Sequence, residues 1–313
     1  MKSKLSYRGR FAQVGIYLGK MLRMFVYQND WKVMPMAALI AGLVTISVGK
    51  NLFRTQEGTL QGCFALACVC VWNGFFNSIQ VVCRERDIVK REHRAGLHMS
   101  AYIAAHMIYQ LILCTAQTVV TMLICRAAGV QFPAAGVVTG WGVLDVGITI
   151  LLVTYTADMM ALMISCLMRS TTAAMTVMPF LLIFQLVFSG GFFNLSGFAD
   201  RIKVLTISHW GLDSLCAVGR YNEQPMVTLW NTLFQFKDVE IEGQKPLLDL
   251  IRMAEQQDLR GQFLLWSGSY NQNAAYAATA ENVLHSWTAL LVMLLVFALT
   301  AVLILRGIDR DKR

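Results

Sequence analysis

Charge is what this chain has least of. Only 15% of its 313 residues are Asp, Glu, Lys or Arg, against ~25% in an ordinary soluble domain. Its mean hydropathy is +0.51, so a water-facing surface around a single core is excluded. Catalytic signatures are missing as well. There is no GxxxxGK[ST] phosphate loop, no HExxH and no GxSxG, and Gly49-Lys50-Asn51 lacks the turns that cradle a phosphate. Alone, the chain has no visible means of hydrolysing ATP. His93 beside Glu92 has no second metal ligand at helical spacing. Cysteines 63, 68, 70, 83, 114, 125 and 166 fall within or at the ends of apolar runs, leaving Cys216 outside. That pattern is neither a disulfide framework nor a metal site, and Cys68-x-Cys70 reads as two small apolar residues of one helix. No catalytic residue, metal ligand, repeat or low-complexity tract emerges.

What the chain does have is long apolar runs. A helix needs about 20 apolar residues to cross a bilayer, and six stretches qualify: Val33–Phe53, Thr59–Cys83, Ala101–Cys125, Trp141–Met168, Thr172–Phe193 and Val283–Arg306. None alternates in polarity over ~10 residues as barrel strands do. The expected fold is therefore an all-α integral membrane protein with six transmembrane helices. Before the first span, Phe11, Val14, Leu18, Met21, Leu22 and Phe25 recur at steps of three and four, with Lys20 and Arg23 off the stripe. This is an amphipathic helix of the kind that lies at a membrane surface, either a plain anchor or a lever to a cytosolic partner. The N-terminus has no compact apolar region before a cleavage site, so its first long run reads as a retained span.

The net charge of +8 could point to nucleic acid, but its placement argues for a membrane. Basic residues gather before the first span (Lys2, Lys4, Arg8, Arg10, Lys20, Arg23, Lys32), between spans two and three, and after span six (Arg306, Arg310, Lys312, Arg313). The opposite short connections carry only Lys50, Arg54 and Arg126. By the positive-inside rule both termini are cytoplasmic, in a cell membrane. The densest run, Arg84-Glu85-Arg86-Asp87-Ile88-Val89-Lys90-Arg91-Glu92-His93-Arg94, cannot sit in hydrocarbon, where each charge costs roughly 2.5–3.5 kcal/mol. Its apolar Ile88 and Val89 make it a short cytosolic helix suited to receive force from a soluble partner. Four parts follow: residues 1–32, a cytosolic N-terminus with the amphipathic helix; 33–193, spans one to five; 194–282, short re-entrant helices and a small extracytoplasmic cap; and 283–313, span six with a cytosolic tail. Within the cap, Leu247–Leu265 looks helical.

Polar residues at membrane depth are few. Asp158 lies ten residues before Met168, roughly 15 Å along a helix, and an intramembrane acid is a functional candidate by default. A buried hydrogen bond is the alternative, with Gln117 and His106 as partners. Asn73 and Asn77 share one helical face, flanked by Trp72, Phe75 and Phe76, and read equally as interhelical glue or cavity lining.

Two motifs carry a resemblance. The charged run, continued by Gly96-Leu97-His98-Met99-Ser100-Ala101-Tyr102, is similar to the ER-x-x-F-x-x-E stretch of ABC type-2 exporters of the G subfamily. Phe188-Ser189-Gly190-Gly191-Phe192-Phe193-Asn194 resembles that family's exit from span five. The resemblance covers nearly the whole chain. It implies a permease that dimerises with a second copy, homo- or heteromeric, and engages an ABC ATP-binding subunit or fused domain holding ATP and Mg, with no cofactor here. It maps a connecting helix to Phe11–Gln28 and a coupling helix to Arg84–Arg94, with Glu85, Arg86, Asp87, Lys90, Arg91 and Glu92 meeting the ATPase. It implies a central pathway walled by Asn73, Phe76, Asn77 and Gln80 on one side and Ile183, Leu186 and Phe188 on the other. A gate falls at Gly191 and Phe192, although Gly191 stands where the family has a bulky residue. The leading expectation is thus the permease of an ATP-driven exporter, not an enzyme and not a nucleic-acid binder. The competing one is a membrane-embedded interaction or assembly protein without transport.

Overall fold

The computed structural model describes residues 9–27, 31, 33–48, 51–191, 193, 196–240 and 244–307. Among them the regular structure is helical, apart from isolated bridge residues such as the pair Ala135 and Trp141. Helix α1 spans Arg10–Tyr27 and α2 spans Val33–Val48. Next come α3 (Gln56–Ser78), α4 (Val81–Arg94), α5 (Met99–Ala127), α6 (Gly142–Leu167) and α7 (Thr171–Val187). Short helices α8 (Phe198–Ile202), α9 (Ile207–Val218), α10 (Thr228–Gln235), α11 (Pro246–Gln256) and α12 (Arg260–Ser269) lead to α13 (Ala280–Arg306).

Helix α6 is the axle of the bundle. It is apolar on all sides, and α3, α13, α5, α9 and α4 pack round it, as expected of a helix with no solvent-facing stripe. Close approach is possible because small residues meet. A Cβ on Gly74 of α3 would come within 2.7 Å of the Asp158 amide nitrogen and 2.8 Å of Ala157 Cβ. Without a hydrophobic drive between helices in lipid, such close packing is what holds them. Outer helices α5 and α13 bury one face only. On α13, Val283, Ser286, Trp287, Leu290, Leu294, Ala298, Ala301 and Leu305 are buried at steps of three and four, while Leu291, Leu295, Leu299 and Leu303 face outward.

Among the described residues four helical stretches are long and apolar enough to cross a membrane: Gln56–Arg94 (α3 running into α4), α5, α6 and α13. At the other two expected spans the described helices are shorter: α2 covers Val33–Val48 and α7 Thr171–Val187, 16 and 17 residues, about 25 Å each at the α-helical rise. Phe53 ends the first connection at φ 62°, and Gly190 breaks the chain after α7 at φ 80°. The second expected span, Thr59–Cys83, also ends earlier. Helix α3 closes at Ser78, and after two intervening residues α4 begins with its first amides on another helix: Val82 N and Cys83 N both donate to Ser165 Oγ, at 3.0 and 3.2 Å. A hydroxyl accepting from first-turn amides is an N-cap, here supplied from α6. Finally, Leu247–Leu265 is two helices, not one, because Asp258 adopts φ 54° between α11 and α12.

The segment expected to be re-entrant is buried more deeply than a surface helix. All of α9 except Trp210 is buried, and Gln185 of α7 fixes its start by accepting from Ile207 N at 2.8 Å and Ser208 N at 3.2 Å. The cap helices α10–α12 sit at this same end of the bundle, opposite α4. Glu57 of α3 holds them by accepting from Val227 N (2.9 Å) and Thr228 N (2.7 Å).

Candidate functional site

Helix α4 projects from the end of the two innermost helices and is clamped on three sides. Arg86 Nη1 donates to the carbonyls of Cys166 (2.8 Å) and Met168 (3.0 Å), closing the C-terminal end of α6 with a positive charge where the helix dipole favours one. Lys20 of α1 meets Glu85 at 3.5 Å. Tyr17 of α1 donates its hydroxyl to Glu92 and packs edge-on against Tyr102 of α5 at 5.5 Å. Gln13 closes the strap, donating to Gly96 O at 3.1 Å and accepting from His98 N at 2.9 Å. Apolar Val82 and Val89 are buried beneath.

The six expected coupling residues therefore divide. Glu85, Arg86 and Glu92 turn inward and are spent on α1 and α6. Asp87 and Arg91 stay exposed and Lys90 is half-buried. The outward stripe is Arg84, Asp87, Ile88 and Arg91, with Ile88 41% exposed between the charges. Of the amphipathic stripe expected on α1, Met21 packs inward while Phe11 and Leu22 stay exposed. Tyr17, outside that stripe, lies buried beside Met21, so the packed face is rotated from the apolar periodicity.

At mid-depth the expected pathway residues also part company. Asn73 and Asn77 face the protomer interior. Asn77 exchanges two 2.9 Å hydrogen bonds with Gln117 of α5. Phe76 and Ile183 are exposed, while Gln80, Leu186 and Phe188 are half-buried. Asp158 is fully buried between α3, α5 and α6, and Cys114 Sγ donates to its Oδ2 at 3.4 Å. Neither partner expected for it is used: Gln117 is taken by Asn77, and both His106 ring nitrogens lack a partner. Gly191 packs so tightly that a Cβ would sit 2.7 Å from Phe64 and 2.9 Å from Leu212, which accounts for glycine there; Phe192 lies outside the described residues.

One feature escaped the sequence. At the end away from α4 a polar pocket of about 500 Å³ is lined by His209, Trp210 and Asp213 of α9, Asp200 and Lys203 before it, and His285 of α13. His209 Nδ1 lies 3.4 Å from Asp213 Oδ1. Burial, reinforced by the Lys203 charge, lowers the imidazole pKa to about 4. Burial raises the Asp213 carboxyl to about 7 although Lys203 opposes it. With the imidazole neutral, the contact is not an ion pair. Near the rim Asp200 meets Lys203 at 2.6 Å, and that ammonium lowers its pKa. The i, i+4 spacing of His209 and Asp213 was the available signal; the nearby charges Asp200, Arg201 and Lys203, in a moderately apolar segment, hid it. Among the described residues, no group of three His, Cys, Asp or Glu side chains is placed to hold a metal ion.

A bundle of apolar helices of this length, enclosing polar side chains and carrying a charged helix at one end, defines a multi-pass membrane protein. More narrowly, the chain belongs to the ABC-2 type transporter family, whose model (ABC2_membrane) matches residues 18–215, more than half of its length. It is thus an ABC-2 permease domain, and that family is a membrane component of transport, not itself catalytic. No curated protein matches the chain.

Proposed function

We propose that this chain is the permease subunit of an ATP-driven exporter, pairing with a second membrane domain and driven by an ATP-binding subunit docked on the exposed stripe of α4. In this reading α2 and α7 complete six spans, the bilayer thinning or the helices tilting to match their length. Both termini and α4 lie in the cytoplasm, where ATP and Mg are held by the partner. The observation that carries the reading is the clamping of α4. A helix fixed to α6 by Arg86 and Ser165, and to α1 by Glu85 and Glu92, moves as one body with the bundle. A push on Arg84, Asp87, Ile88 and Arg91 is then transmitted to α3 and α6 instead of bending a loop. The pathway would run between two copies, past Phe76, Gln80, Ile183, Leu186 and Phe188, with Asn73 and Asn77 behind that wall. Gly191 and Phe192 would form the constriction, and the polar pocket around His209 would receive what leaves.

The test is isolation of the full-length chain from native membranes in mild detergent. A stoichiometric ATP-binding subunit, lost when Ile88 is replaced by Asp, is the expected result. Recovery of the folded chain without any such subunit overturns the proposal.

A further inference from the structure

A second pocket, of about 60 Å³, opens where α1, α4 and α5 meet. Its polar lining includes Lys20, Arg84, Glu85, His106 and Gln110, with the tyrosines Tyr17 and Tyr109. Two of these pose a chemical problem. His106 is 3% exposed and neither ring nitrogen has a partner; Gln110 is 1% exposed, and its Oε1 has none. Gln110 Nε2 is already committed to Ser78 Oγ at 2.8 Å. Buried polar atoms in native proteins are nearly always satisfied, so these atoms describe an occupant. A neutral imidazole offers one donor and one acceptor, and an amide oxygen only accepts. The occupant must therefore donate at least two hydrogen bonds and accept one. Hydroxyl groups do both.

The mouth adds a charge requirement. Lys20 and Arg84 stand there with Glu85, whose carboxylate holds Lys20 at 3.5 Å; two cations against one anion leave a net attraction for phosphate. Beside the mouth, the outward side of α1 is apolar: Phe11 is 94% exposed, with Leu22 and Val26 on the same arc. A surface-lying helix presents such an arc to acyl chains, and basic pockets between helices at a membrane surface take lipid headgroups.

We propose that this pocket binds a phosphate ester bearing free hydroxyls, supplied by the headgroup of an anionic phospholipid, with the phosphate between Lys20 and Arg84 and the hydroxyls reaching His106 and Gln110. Phosphatidylglycerol is the simplest lipid of this chemistry. Phosphatidylcholine, whose headgroup has no donor, fails it. An occupant there bridges the helix that lies on the membrane and the start of α4, and so ties lipid composition to the clamp around α4. The site does not depend on the direction of transport.

The experiment uses the full-length chain, with any subunit that accompanies it, in nanodiscs of phosphatidylglycerol or phosphatidylcholine. It reads lipid retained by native mass spectrometry, and the melting temperature. A preference for phosphatidylglycerol of about tenfold, or 1.4 kcal/mol, is expected. It should vanish in His106→Leu and in Lys20→Gln, whereas both variants should melt near the parent in phosphatidylcholine. His106→Leu removes two unmatched nitrogens and so keeps the bundle folded. Equal retention of the two lipids, or a preference that survives both substitutions, overturns the proposal and leaves a water-filled pocket. Protection by soluble glycerol 1-phosphate that matches the lipid's, and is lost in His106→Leu, upholds the chemistry and overturns the lipid source.

Discussion

His209 and Asp213 make opposite demands on a single proton. In the unfolded chain at pH 5 the imidazole is charged and the carboxyl is not protonated, from their ordinary values near 6.5 and 3.8. In the folded chain burial reverses both, with His209 neutral down to about 4 and Asp213 protonated up to about 7. Each state binds one proton between these limits, so the pair contributes almost no pH dependence to stability. Breaking it exposes the two opposed slopes. Asp213→Asn leaves a histidine with a depressed folded pKa, whose contribution is present above 6.5 and lost as pH falls through 4. That variant should lose up to about 1.4 kcal/mol per pH unit on acidification. His209→Gln leaves a carboxyl with a raised folded pKa, whose contribution is full below 3.8 and lost as pH rises through 7; it should gain stability on acidification. Melting temperatures in detergent from pH 7 down to 4 check the signs, and parallel slopes would rule out the shared proton. Packing sets a second residue-scale test. Gly74→Val forces three atoms into the α3–α6 contact, where even a Cβ lies 2.7 Å from the Asp158 nitrogen, and overpacking of this kind costs about 1–3 kcal/mol. Gly15→Ala on α1, where a Cβ meets nothing within 4 Å, should leave the folded yield unchanged or raise it, because helical alanine is favoured over glycine.

Helix α4 shows what a sequence can and cannot assign to an element. Its charge density, its apolar Val89 and its position after an apolar run were legible, because they are local; Ile88, read with Val89, stays exposed. Which charges face out was not. The groups that turn Glu85, Arg86 and Glu92 inward come from Lys20, Cys166 and Tyr17, 65 to 80 positions away in sequence. The same non-locality hid the end of α3, since the hydroxyl capping α4 belongs to Ser165. The long apolar runs of α5, α6 and α13 were read to within a few residues, because nothing distant determines where they begin. From the division of α4 a distinct outcome follows for each face. Arg86→Ala strips the guanidinium from the Cys166 and Met168 carbonyls and should destabilise the fold by about 1–3 kcal/mol, seen as a lower melting temperature and yield. Arg91→Glu and Ile88→Asp should change stability by no more than about 0.5 kcal/mol, as exposed substitutions do, and instead reduce recovery of the ATP-binding subunit. A normal melting temperature for Arg86→Ala would mean that the clamp on α6 is dispensable.

At the scale of the whole molecule, the two ends of the bundle differ in kind. One carries α4 and the strap of α1, rich in Arg and Lys; the other carries the cap helices and the polar pocket. Helical order and core positions follow from hydrophobic pattern, but sidedness rests on the distribution of basic residues, an electrostatic bias of insertion. The chain is well suited to a direct test, because seven of its eight cysteines are buried and Cys68 is only partly accessible, so background reaction with a membrane-impermeant maleimide is low. Cysteine placed at Ile88, on the outward stripe of α4, and at Tyr270, exposed at the end of α12, samples the two ends. In intact cells Tyr270→Cys should label and Ile88→Cys should stay unlabelled, with Ile88→Cys labelling fully once the membrane is permeabilised. If Ile88→Cys reacts in intact cells instead, α4 faces away from any cytosolic ATPase, and the force-receiving role argued from its clamps fails with it.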